Sequence, residues 1–405
     1  MGHSDAQQYK ELEALSVPPP YTAASFLKNL HSSKLTLIVN APPAINGLAL
    51  GNVGAAVALN IILRDNGVYN SASSWIVFGP TLYSLILLLL YLVRVLWNFE
   101  AFWREDCAKP QPLSAIGAHS MAVMLVALEA ALPELQLDYR VPLAIASYGS
   151  AVQLGAMLLF LGRCFEFRCW PEPFYNAAIH SCQFLTLAFP SASSACINFR
   201  KTMLIFGLVM LLPSLPAQIY RTLTQPQVVA QNYTVCIMQT AFSISLCAWI
   251  TFPLYDSGPA TGPGAVVTHL LFALSTTTYL FTWCALFQRF EALRKLGLDH
   301  ATISSATFPF INSAISANLY RIVMKQSFSS AGHGVLQAWV YLITLFALGT
   351  TLTGNIVFAR NAFFTSCPSS SSSASTSFST DLGEESPEEE EEKGLDLKVV
   401  AMEVG

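Results

Sequence analysis

Apolar stretches recur from about residue 35 to Phe364, separated by short polar connections, each long enough to cross a bilayer as a helix. They fall at 35–63, 74–97, 113–132, 141–165, 173–197, 202–222, 232–254, 264–290, 301–325 and 334–360. Unbroken apolar runs of this length indicate spanning helices and not half-buried strands, which would alternate. The pattern predicts an all-α polytopic membrane protein with ten transmembrane helices.

The flanks differ. Residues 1–34 are polar, contain Pro18-Pro19-Pro20, and lack the charged, apolar, small-residue order of a cleaved signal. The first apolar run is therefore expected to insert as a mature span, opening a transmembrane domain over 35–363. Residues 364–405 carry a serine run from Ser369 to Ser373 and a glutamate run from Glu388 to Glu392. Such a segment cannot bury enough apolar surface to order itself, and disorder is expected. It reads either as a regulatory tail modified by a kinase or as a solvated end.

Charge sets the orientation. With the N-terminus inside, the cytoplasmic side receives Lys10, Lys28, Lys34, Arg94, Arg104, Lys109, Arg163, Arg168, Arg221, Arg289, Arg294, Lys295 and Arg360. The opposite side receives only Arg64, Arg140, Arg200, Lys201, Arg321 and Lys325. This obeys the positive-inside bias and predicts two cytoplasmic termini. The plasma membrane is the default location, because no organelle address is present.

Composition sharpens the exclusions. Only 11% of residues are charged, against about a quarter in soluble domains. The acidic tail supplies much of the net charge of −4, and the remainder is too weakly basic for nucleic acid. The 9 cysteines lie mostly inside apolar runs, with Cys164 and Cys169 the closest pair. That argues for burial and against a disulfide framework or zinc site. Catalytic and cofactor-binding motifs are absent, so neither an enzyme nor a cofactor is expected.

Helix-breaking residues concentrate in the odd-numbered runs. The first has Pro43, Gly47 and Gly51; the third has Gly117; the fifth has Pro173 and Pro190; the ninth has Pro309. The second and eighth are long and mostly smooth, while the sixth carries Pro213 and Pro216. Proline and glycine free backbone groups that neighbours or cavity water must satisfy. Odd helices around a central path, with even helices outside them, follow from that distribution.

The most distinctive string is Thr307-Phe308-Pro309-Phe310-Ile311-Asn312-Ser313-Ala314-Ile315-Ser316. Proline removes a backbone donor and bends the helix beside Phe308. Helical spacing puts Phe308, Asn312 and Ile315 on one face. The ring either plugs a narrow path or packs as a core phenylalanine.

The T-F-P-F-x-x-S-A-I portion resembles the ninth-span signature of the tellurite-resistance and C4-dicarboxylate transporter family, which includes slow-type plant anion channels and fungal malate permeases. Pro43 followed by Gly47-Leu48-Ala49-Leu50-Gly51 is similar to its opening pattern, and Ser120-Met121-Ala122-Val123-Met124-Leu125 to its third span. Pro173, Phe174 and Pro190 resemble its paired-proline span. The seventh run, from Cys236-Ile237-Met238 to Ser245-Leu246-Cys247-Ala248, departs by lacking the usual prolines, with Phe242 at one such place. The resemblance implies five hairpins in pseudo-fivefold order around a pore, a homotrimer with one pore per subunit, and occlusion by Phe308.

Ionisable residues within the runs are few, and such residues are functional candidates. Glu129 near the end of the third run reads as a proton-coupling carboxylate or as a rim residue. His119, His180 and His269 sit on separate runs; His180 is the relay candidate beside Glu129, against simple hydrogen-bonded burial. Asn40, Asn46, Asn52 and Asn312 could contact anions. The leading expectation is passage of small anions, inorganic or C4-dicarboxylate, through a path gated by Phe308. A proton-coupled dicarboxylate, sulfite or tellurite carrier and a non-transporting receptor are the alternatives.

Overall fold

The computed structural model describes residues 43–108, 110–167, 183, 194–224, 233–251, 258–288 and 300–364. All regular structure among them is helical. The flanks 1–34 and 365–405, and most of the fifth run with Pro173, His180 and Pro190, lie outside the described residues.

The first hairpin shows how local chemistry sets its ends. Helix α1 (Ile45–Asp65) stops where Gly67 takes φ +67°. There the Gly67 amide donates to the Arg64 carbonyl at 3.0 Å and the Val68 amide to Leu63 at 3.0 Å. This paired closure is the glycine-based Schellman stop. Helix α2 (Ser71–Trp97) starts three residues later, capped reciprocally by Asn70 and Ser73. Pro80 lies inside α2, an interruption in the run read as mostly smooth. The helix continues past it while Ser84 donates to the Pro80 carbonyl at 2.8 Å and to the Ala49 carbonyl of α1 at 2.9 Å. The hydroxyl of Ser84 thus ties this stretch of α2 to its neighbour just past the proline.

After α2 a three-residue turn, Phe99–Ala101, runs into the π-helical Phe102–Asp106. Helices α3 (Pro110–Ala130) and α4 (Arg140–Phe167) form the next hairpin. Helix α5 (Ser194–Thr224) contains Pro213 and Pro216. A 3-10 turn at Tyr233–Gln239 leads into α6 (Thr240–Thr251), followed by α7 (Gly262–Gln288). The last hairpin joins α8 (His300–Val323) to α9 (Ser330–Phe364).

Among the described residues six helices, α1, α2, α3, α4, α7 and α9, are long and apolar enough to cross a membrane. The protein is a membrane-embedded helical bundle. Its helices divide into two layers. The most apolar stretches of α1 and α3 are 78% buried, against 33 to 39% for α2, α4, α7 and α9. Every residue of α6 except Thr251 is buried, as is nearly all of α8 from Ala306 to Tyr320. The inner helices thus come from the first, third, seventh and ninth runs. Large apolar side chains such as Trp75, Leu82, Leu158, Leu270 and Leu345 project outward from the others. With lipid as solvent, that exposure costs nothing.

The inner helices also contact one another in a definite order. Helix α1 packs between α3 and α8, and α8 packs in turn against α6. The first and ninth runs therefore meet directly through α1 and α8. Gln183 connects the fifth run to this layer: its Oε1 accepts from Ser245 of α6 at 2.8 Å.

Candidate functional site

The α1–α8 seam is built from small residues. Gly47, Gly51 and Gly54 recur at intervals of four and three, which sets them on one face of α1. A β-carbon on Gly51 would sit 2.7 Å from Thr307 Oγ1 and 2.9 Å from its Cβ; one on Gly54 would sit 2.5 Å from Ile311 Cγ2. The Thr307 hydroxyl donates to the Gly47 carbonyl at 3.2 Å. Glycine thus lets the backbones approach, as in membrane helix pairs generally. Gly47 and Gly51 lie in a continuous helix, where they seat α8, while Pro43 stands in the turn just before it.

On α8, Pro309 interrupts the backbone ladder within a continuous helix, and Ser313 donates back to its carbonyl at 3.1 Å. Phe308 is only 6% exposed. Asn312, one turn on, donates through Nδ2 to Ser243 Oγ of α6 at 2.7 Å. Ile315 is buried and approaches Gly54. The Phe308–Asn312–Ile315 face is therefore enclosed by other inner helices.

Polar pairs between helices surround this core. Asn52 exchanges hydrogen bonds with Asn355 of α9, at 3.0 and 2.7 Å. Ser120 donates to Gln153 of α4, and Asn318 to Thr344 of α9 at 3.1 Å. Trp249 Nε1 donates to Thr268 of α7 at 3.0 Å. Gly117 lies on α3, its carbonyl accepting from Ser120 at 2.8 Å. Some buried polar atoms find no partner among the described residues: both amide atoms of Gln239, Thr240 Oγ1 and Asn46 Nδ2. They mark places in the interior where hydrogen-bonding capacity is unspent.

At the end of the bundle near the α1 start, His119 is fixed by two groups. Its Nδ1 lies 3.1 Å from Asn46 Oδ1, and its Nε2 lies 3.4 Å from the Tyr148 hydroxyl. With Nδ1–H donating to the amide oxygen, Nε2 accepts from tyrosine, and both ring nitrogens are engaged. His269 meets the Tyr320 hydroxyl at 2.8 Å. At the same end, Arg94 clasps Asp106 with both guanidinium nitrogens, anchoring the π-helical turn to α2. The Cys107 thiol beside it is pushed up to about 11, first by burial and then by the Asp106 charge.

The opposite end carries a second charged group. Glu129 is 6% exposed, with Oε1 3.5 Å from Asn60 Nδ2. Asn60 accepts from Arg64 Nε at 2.7 Å, and Arg64 Nη2 reaches Glu134 at 2.7 Å. That bond holds the Glu134 carboxyl below the usual carboxylate range. Nearby, Arg321 of α8 is 1% exposed and pairs with Asp65 of α1 at 2.5 Å. The sequence pattern counted Arg321 only among the flanking basic residues and passed over Asp65, yet their opposite signs at the ends of the first and ninth runs carried the signal. Gly54 was likewise legible as the next member of the glycine series.

Among the described residues, no three metal-ligating side chains converge. No protein-family model matches the chain, and no curated protein matches it. Function must therefore be read from these residues.

Proposed function

We propose that the protein conducts small anions through its inner helices, with Phe308 as the gate. In this reading ten spans form five hairpins in pseudo-fivefold order, the odd runs inside, as in the tellurite-resistance and dicarboxylate transporter family. The observation that carries it is the contact order of the buried helices, in which α1 lies between α3 and α8, and α8 adjoins α6. Contact between the first and ninth runs is what a closed ring of alternate spans requires. The Gln183–Ser245 bond supports extending that ring to the fifth run.

Chemistry supports an anion path. The inner faces offer amides and hydroxyls, including Asn312, Ser243, Gln239 and Thr240, which can replace part of an anion's hydration. Beside Phe308, α8 meets α1 through uncharged groups, with Gly51 against Thr307 and Gly54 against Ile311 and Ile315. A homotrimer with one path per subunit, cytoplasmic termini and a kinase-modified tail complete the proposal. The test is flux from liposomes of chloride, nitrate, malate and sulfite. Saturable or conductive flux of any of them supports the reading; none in correctly inserted protein refutes it.

A coupled carrier is the second reading, and the burial of Glu129 beside Asn60 favours it. Flux that follows an imposed proton gradient and is lost in Glu129→Gln supports coupling. Flux indifferent to the gradient removes it.

A further inference from the structure

A groove of about 480 Å³ opens on the outer layer between α2, α3 and the start of α4. Its floor and walls include Trp75, Phe78, Leu82 and Leu85 of α2, Val126 of α3 and Ile145 of α4. The four α2 residues follow helical spacing, so they form one continuous stripe. From Trp75 to Leu85 that stripe is about 15 Å long, which matches roughly half of a bilayer's hydrocarbon thickness of about 30 Å. At its upper end the groove meets Glu129 and Glu134.

The two carboxylates differ in what they have to offer. Glu134 is bonded to Arg64 at 2.7 Å. Glu129 has the Asn60 amide, at the long distance of 3.5 Å, as its hydrogen-bond partner among the described residues. Arg64 is already committed to Asn60 and Glu134. A buried carboxylate needs a cation or strong donors to offset its desolvation. Here it stands at the head of an apolar trough the length of one alkyl chain.

We propose that this groove binds a single-chain amphiphile with an ammonium head, its chain along Trp75–Leu85 and its head on Glu129. The ligand comes from the surrounding leaflet, since the trough faces lipid and ends at the bundle's polar rim. The site does not involve Phe308 and stands whether or not the protein conducts.

The test uses the full chain in nanodiscs with three photoactivatable probes of equal length: dodecylamine, dodecanol and dodecanoic acid, each bearing a diazirine on the chain. Labelling is mapped to peptides by mass spectrometry across a concentration series. Dodecylamine should label the Trp75–Leu85 segment at about tenfold lower concentration than dodecanol, the scale of one charge-assisted hydrogen bond. Glu129→Gln, which keeps shape and the Asn60 contact, should erase that preference, and Leu82→Trp should abolish labelling by filling the trough. Equal labelling by the three probes, a generic alkyl groove, overturns the proposal. So does a preference that survives Glu129→Gln, or an absence of labelling by any probe, as when a second copy covers the groove. None of these readouts depends on flux.

Discussion

Ile311 of α8 lies so close to Gly54 of α1 that a β-carbon there would fall 2.5 Å from Ile311 Cγ2. The isoleucine is fully buried and β-branched, so its Cγ2 cannot swing away cheaply. Gly54→Ala should therefore push α8 off α1 and lower stability by about 1–3 kcal/mol, the usual cost of overpacking. Gly51→Ala, against Thr307, should do the same. Thermal unfolding in detergent checks both, with Gly155→Ala, where a β-carbon meets open space, as the control.

The Asp65–Arg321 pair fastens the same two helices at their other end. Arg321 is buried, and its Nε has no partner among the described residues, so the carboxylate is its principal compensation. Asp65→Ala should destabilise by about 3–5 kcal/mol, because it leaves a buried charge unpaired. Asp65→Ala with Arg321→Met should recover much of the loss. A double-mutant cycle on unfolding midpoints measures the coupling, and additive losses would show the pair contributes nothing as a pair.

Much of the inner layer was legible from punctuation alone. Gly47, Gly51 and Pro309 fall on helices α1 and α8, which are buried, whereas the long apolar runs of α2 and α7 face outward. The rule fails at Pro80, a proline in an outer helix that continues past it. It also fails at α6, which is buried without an internal proline. What sequence could not supply was adjacency between Gly51 and Thr307, residues more than two hundred positions apart, since periodicity fixes faces and not partners. Whether Phe308 plugs a path or packs a core was equally beyond pattern, as both readings bury the ring.

Ser243 accepts the Asn312 amide in the interior of the bundle. Ser243→Ala strands that donor, and a loss of about 1–3 kcal/mol is expected. Asn312→Leu with Ser243→Ala should be milder than Ser243→Ala alone, because no polar group is left unpaired. Unfolding midpoints of the two variants beside wild type decide it.

The Arg64–Glu134 contact gives a signed pH dependence. The folded-state pKa of Glu134 lies below its ordinary value because of the Arg64 bond. Its contribution is therefore full above the unfolded value of about 4.3 and fades as pH falls through the folded one. Acid should lower the melting temperature slightly more in wild type than in Glu134→Gln. Added salt should shrink the difference, since the pair is exposed.

The account turns on Phe308, held next to Pro309 on a buried helix. The most direct measurement is the single-channel or macroscopic conductance of Phe308→Ala beside wild type in planar bilayers, at matched protein density and with intact size-exclusion profiles. The expected result is an anion-selective conductance several-fold above wild type. An unchanged conductance, or one selective for cations, in well-folded protein would contradict the account.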